Sequence, residues 1–234
     1  DLIGRHQHGA MSEPMRLRGT PAARSHFATR TLVDARHPAR AEVEAYIAHI
    51  YLQRYGAVLR SFLPQLMVYR DACGAIRAAV GLRRGGEGDF FVEQYLDTSA
   101  EQAIGHFTGR SPARRELVEV GNFASASAGD ARELILQLTA SLHGEGLRWV
   151  LFAATRQLRN AFDRLHLSTV ELADARSERL SGDHSDWGSY YDAQPKVMFG
   201  DIAAGNAYLA RMAAASVADD AAVPAFGFRM AVAT

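Results

Sequence analysis

The stretch RWVLFAA (148–154) constrains the fold more than any other part of the sequence. After its leading Arg it is unbroken apolar residues between Gly146 and the polar pair Thr155-Arg156, of strand length and too short for a typical helix. A strand that is apolar throughout must be covered on both faces, so the chain has to lay other elements over each side of a sheet. Helices suited to that task are legible. Over 41–55, Val43, Ile47, Ile50 and Tyr51 recur at helical spacing before Gly56. Over 130–142, Leu134, Ile135, Leu138 and Leu142 form one stripe. Shorter helices are predicted over 99–107, where Ser99 can cap and Glu101 lies in the first turn, and over 157–165.

Strands are predicted over 26–33, 65–70, 76–82, 90–96, 116–123, 168–172 and 196–202, the second and third joined by the turn Asp71-Ala72-Cys73-Gly74. The Ala-rich segment after Ala203 begins as a helix. The pattern predicts one α/β (α+β) domain over 26–212. A flexible arm is expected over 1–25, its first ten residues reading as vector-derived because they precede Met11, and a C-terminal tail over 213–234.

Several classes of function are disfavoured. Lys plus Arg number 26 and Asp plus Glu 26, so the overall charge makes no case for nucleic acid. The lone Cys73 cannot form an internal disulfide, and nothing argues for an oxidising compartment. No apolar run approaches the ~20 residues that cross a bilayer, and no signal-peptide pattern is visible. A cytoplasmic protein without stable membrane insertion is expected. The His residues show no metal-ligand spacing, so no metal is expected. Neither a serine-hydrolase elbow nor a phosphate-binding P-loop is present.

Strand order and specific blocks then suggest a family. The segments RYGA (54–57), AAVGLR (78–83), FFVEQYLD (90–97), VEVGNFAS (118–125), RWVLFAATRQLRNAF (148–162) and WGSYYDAQPKVMFGDI (187–202) resemble the thermostable hemolysin family. The resemblance implies a GNAT-like acyltransferase fold, with a central mixed, mostly antiparallel sheet flanked by helices, similar to the acyl-homoserine-lactone synthases. Those synthases carry a strand of the form W-E-hydrophobic-S-R-F. Here Glu119 and Phe123 fall on matching positions, while Asn122 stands in place of Arg and removes a guanidinium fork.

Acyl transfer from a thioester to an amine needs a base, an oxyanion donor and exact positioning of the two reactants. Glu119 is the candidate base, because a carboxylate in an apolar strand has a raised pKa; an ion pair with Arg83 is the alternative. Glu93, Gln94 and Tyr95 interrupt an apolar segment and need partners, either a network or a bound amine. Trp187, Tyr190 and Tyr191 could line a pocket. Arg83, Glu93, Gln94, Asn122, Phe123, Trp187 and Tyr190 are thus candidates for substrate binding. For the donor, the GNAT coenzyme A motif Q/R-x-x-G-x-G/A is half present in Ala126–Ala131. Gly129 and Ala131 fit, Ala126 does not, and Asp130 puts a negative charge where a diphosphate would lie. The Tyr that many GNAT enzymes use to protonate the leaving thiolate is replaced by Phe162. Arg156, Arg159 and Asn160 could meet a carrier's phosphate or acidic surface.

The reading is an N-acyltransferase with no tightly bound cofactor. Its co-substrate is an acyl-carrier-protein or acyl-coenzyme A thioester, with the carrier protein favoured. Its acceptor is a small amine such as an amino acid or an adenosylmethionine-like metabolite, and a homodimer is left open. An acyl-homoserine-lactone synthase and a non-enzymatic, membrane-active hemolysin are the alternatives.

Overall fold

The computed structural model describes residues 15–16, 25–181 and 185–221. Most of the expected N-terminal arm and the last part of the expected tail lie outside them. The described strands form one sheet in the order β1-β2-β3-β4-β5-β6-β8-β7. They are β1 (Met15–Arg16), β2 (Thr29–Val33), β3 (Gln65–Arg70), β4 (Ile76–Arg84), β5 (Leu117–Ser125), β6 (Trp149–Ala154), β7 (Val170–Asp174) and β8 (Lys196–Asp201). Every pairing is antiparallel except β5 with β6, so the sheet is mixed and mostly antiparallel, as expected.

The apolar run at β6 is covered on both sides. Phe152 packs with Leu134, Leu138 and Leu142 of α3 (Ala128–Gly144) and with Ile202 of α5 (Ile202–Ala221). Leu151 points the other way, towards Ala100 and Ile104 of α2 (Ala100–Thr108). On that same side, Val43, Ile47 and Tyr51 of α1 (Arg40–Tyr55) pack on Leu66, Val68 and Ala79. Helix starts follow the sequence: Ser99 caps α2 by accepting from the Gln102 N–H at 3.3 Å, and Ser127 caps α3 through the Asp130 N–H at 3.1 Å. Helix α5 continues through Ala221, past the end of the domain expected at 212.

One predicted strand is not a strand. Residues 90–96 form a 3₁₀ turn, Phe91–Tyr95. Its backbone amides are taken by side-chain carboxylates instead of a ladder: Phe90 N–H by Glu93, and Phe91 and Val92 N–H by Glu119. The remaining link that positions the site is the aromatic loop after β7, which docks on the end of α1. The Ser189 N–H donates to the Tyr55 carbonyl at 2.8 Å. Gly188, at φ +50°, passes so close that an added Cβ would run into that same carbonyl.

Candidate active site

The site begins where the sheet opens. β5 and β6 pair in parallel from Leu117 opposite Trp149 to Val120 opposite Phe152, and then part, although β5 runs on to Ser125 and β6 to Ala154. A bulge in β5 accompanies the opening: Gly121 faces Gly81 and Ala124 faces Ala79, so β5 carries one residue more than β4 over this span. Asn122 supplies the left-handed turn of the bulge, with φ 49°, a conformation that Asn tolerates better than most residues. Its Oδ1 accepts from the Leu63 N–H at 2.9 Å, fastening the loop before β3 to the fork.

A cavity of about 360 Å³ occupies this opening and reaches both faces of the sheet. On the α1 side its walls include Glu119, Phe91, Tyr95, Trp187 and Tyr190, and at the fork itself Gly121, Asn122 and Ala153. On the α3 side they are mostly apolar, with Leu138, Leu142, Phe152, Phe162 and Ile202 beside the polar Thr139, Ser168, Thr169 and Asp201.

Glu119 is the buried charge of this space, with 2% of its surface exposed. Oε2 accepts from the Phe91 N–H at 2.9 Å and Oε1 from the Val92 N–H at 2.8 Å. Burial raises its pKa above the usual 4.5; the two N–H groups and the nearby positive charge of Arg83 oppose the rise without cancelling it. Arg83 stands directly opposite Glu119 in the β4–β5 register. The two form no ion pair. Arg83 Nη1 donates to the Asp89 carbonyl, and its Nε is buried without a partner. Gln94 is also on the wall, with Nε2 donating to the Phe91 carbonyl at 3.2 Å. Trp187 lies 6.1 Å from Phe91 and 5.3 Å from Tyr190 between ring centroids, and Tyr190 stacks on Tyr51. Tyr191 turns away from the cavity wall and hydrogen-bonds Tyr95 through the two hydroxyls at 2.7 Å.

Of the residues singled out from sequence, Glu119, Arg83, Gln94, Asn122, Phe123, Trp187 and Tyr190 come together here. Glu93 does not. Its carboxylate accepts from the N–H groups of Phe90 and Ala100, each at 2.9 Å, and from Arg114 at 2.6 and 2.9 Å. Burial pushes its pKa up, but Arg114 and the two N–H groups outweigh this and hold it below 4.5. With its oxygens so occupied, Glu93 pins the 3₁₀ turn to α2 and has no lone pair aimed at a substrate.

The four residues assigned to the donor lie off the cavity wall. Arg159 Nη1 donates to the carbonyls of Ala154 and Gln194, at 2.8 and 2.9 Å, and Arg156 to the Gln194 side chain. Asn160 is exposed on α4 (Arg156–Arg164). Gly129 sits in the first turn of α3 beside Asp130, whose side chain is fully buried against Arg77 Nη2 at 2.9 Å and Ser127 Oγ at 2.7 Å. The first turn of α3 thus carries a buried carboxylate, a negative charge of the sign that a helix N-terminus favours.

Other wall residues escaped the sequence reading. Phe91 belonged to a recognised block but to the wrong kind of element. Leu138, Leu142 and Phe152 read as ordinary core, and no local signal separates a core leucine from one that lines a cavity. Phe162, noted only as a missing phenol, stacks on Phe152 with centroids 5.0 Å apart and so extends the apolar wall.

The thermostable hemolysin family model matches residues 33–206 of the chain. No curated protein matches it. Among solved structures, TofI in an apo form superposes with a TM-score of 0.52 and 16% identity, over 77% of this chain and 95% of that one. TofI in a ternary complex with an inhibitor and MTA gives 0.51 at the same identity and coverage. BjaI, a CoA-dependent acyl-homoserine lactone synthase solved with SAM and isopentyl-CoA, gives 0.52 and 10% identity over 78% of this chain and 88% of its own. These likenesses establish a shared fold, the GNAT-like one that the order of elements suggested.

Proposed function

The chain belongs to the thermostable hemolysin family, and from that membership and the geometry of the cavity we propose that it is an N-acyltransferase, moving an acyl group from a thioester to a small amine. One observation carries the reading: a single cavity crosses the sheet at the β5–β6 fork, with a buried carboxylate on one face and an apolar pocket on the other. Such a space sorts the reactants by polarity. The acyl chain fits among Leu138, Leu142, Phe152 and Phe162, the thioester carbonyl lies at the fork, and the amine meets Glu119.

In the step proposed, Glu119 takes a proton from the acceptor ammonium, the freed nitrogen attacks the thioester carbonyl, and the C–S bond breaks as the amide C–N bond forms. The raised pKa of Glu119 suits a proton acceptor that works at neutral pH. Peptide N–H groups along the open edges of the fork are candidate donors to the oxyanion. Phe162 cannot protonate the departing thiolate, which receives through water the second proton that the nitrogen sheds as it becomes an amide.

The donor is an acyl carrier protein rather than coenzyme A. Asp130 puts a negative charge in the first turn of α3, which disfavours a diphosphate there, and a carrier-linked phosphopantetheine brings no diphosphate. Such a donor implies a cytoplasmic enzyme. The test is release of free thiol from acyl-carrier-protein and acyl-coenzyme A donors of graded chain length, against a panel of amines, with product masses read in parallel. Carrier-protein donors with chains long enough to fill the apolar pocket should outpace matched coenzyme A donors, and the product should be an open N-acyl amine. A lactone product would assign the chain to lactone synthesis instead, and no thiol release from any pair would defeat the proposal.

A further inference from the structure

Building on the acyl-transfer reading, we propose that the acceptor is an amino acid whose carboxylate is gripped by Arg83 while its amine faces Glu119. The observation behind this is an unsatisfied donor. Arg83 lines the cavity, its Nη1 is fixed on the Asp89 carbonyl, and its Nε has no partner among the described residues. An N–H left without an acceptor is a costly arrangement, and an incoming acceptor would relieve it. The Nε side of a guanidinium is also one of the edges that receives a carboxylate in two-pronged fashion.

Glu119 does not fill that role. It is the direct cross-strand neighbour of Arg83, yet no contact within ion-pair distance joins them, and both its oxygens are held by the Phe91 and Val92 amides. The sheet thus holds one positive and one negative group side by side on the same face, roughly 5 Å apart at Cβ, each tethered to backbone rather than to the other. This is the charge pattern of an α-amino acid in reverse, ammonium towards Glu119 and carboxylate towards Arg83. The other cation on this part of the wall, Arg60, is ion-paired with Asp186 and largely exposed. The flanking rings of Phe91, Trp187 and Tyr190 give an apolar or aromatic amino-acid side chain a surface to pack on.

The test compares amino acids with the amines they become on losing the carboxylate, L-tyrosine with tyramine and L-leucine with 3-methylbutylamine, using one acyl donor throughout. The wild-type protein should favour the amino acid in kcat/KM by about 10⁴-fold, the discrimination that a site built to bond a polar group imposes on an analogue lacking it. Arg83→Met should lose amino-acid turnover far more steeply than amine turnover, bringing the ratio near one, and Arg83→Lys should keep part of the preference because charge remains without the fork. A purely structural role for Arg83 would lower both substrates equally. A second measurement needs no turnover: N-dodecanoyl-L-tyrosine should raise the melting temperature of the wild type more than its methyl ester does, and Arg83→Met should erase that difference. Equal use of amino acid and amine, parallel losses in Arg83→Met, or equal stabilisation by acid and ester would each overturn the proposal. Absence of thiol release with every donor and acceptor would instead defeat acyl transfer, and the acid–ester comparison would still decide whether Arg83 holds a carboxylate.

Discussion

Glu119 and Glu93 are carboxylates of the same small region with opposite environments, and their pH behaviour should separate them. Glu93 titrates below its ordinary 4.5 because Arg114 and two N–H groups favour its ionised form. Its contribution to stability is therefore complete above 4.5 and is lost as pH falls through the lowered value. Arg114→Met should cost about 1–3 kcal/mol at pH 7, the penalty for leaving a part-buried carboxylate short of a donor, and much less near pH 3. Melting curves across that range measure it. Glu119 is pushed the other way, mainly by burial. If it is the base, the rate should rise with pH through a midpoint above 4.5, and Glu119→Gln should lower kcat by about 10²–10⁴ and remove that limb. Gln is not silent structurally, since its NH₂ would face one of the two N–H groups that now point at the carboxylate. A lower melting temperature should accompany the loss of rate, and a full rate in Glu119→Gln would dismiss it as the base. Sequence made Glu119 visible because a charge inside an apolar strand is conspicuous. Glu93 was conspicuous for the same reason, and its partner Arg114 lies too far along the chain for any local pattern to link the two.

Local pattern was most informative for the strands and helices with strong periodicity. The capped start at Ser99, the α3 stripe and the doubly covered β6 are all legible in the sequence, because local chemistry and burial agree there. Residues 90–96 have the apolar content of a strand, whereas their backbone amides are claimed by Glu93 within the segment and by Glu119 from β5. The β5 bulge was likewise hidden: Asn122 was noticed as a substitution, and its left-handed φ and its bond to the Leu63 N–H emerge only in three dimensions. If the bulge shapes the fork, Asn122→Gly should be tolerated better than Asn122→Val. Both lose the bond to Leu63, but the β-branched side chain adds about 1–2 kcal/mol for its left-handed backbone, a difference that chemical denaturation resolves. On α5, Gly205 lines the apolar half of the cavity, and a Cβ there would meet Leu167 and Thr139 at 3.6 Å, ordinary contact distance. Gly205→Leu should therefore fold and should shift the preferred acyl donor to shorter chains in the thiol-release assay.

Across the whole molecule, the proposed division of labour follows from the sheet being a wall with one opening. Element order and the resemblance of specific blocks pointed to the layered GNAT-like fold, but not to a cavity that passes through the sheet, because its walls are drawn from α3, α5, β4, β5, β6, the 3₁₀ turn and the loop near Trp187, among others. The fork also has a consequence for solvent exchange. Past Val120 and Phe152 the facing edges of β5 and β6 have no ladder partner in each other, so peptide hydrogens there should trade with deuterium faster than those of the paired segment just before it. An acyl donor threaded between the strands should slow this exchange at Gly121–Phe123 and Ala153, while an acceptor alone should leave it unchanged. The order in which protection appears would then show which reactant completes the sheet.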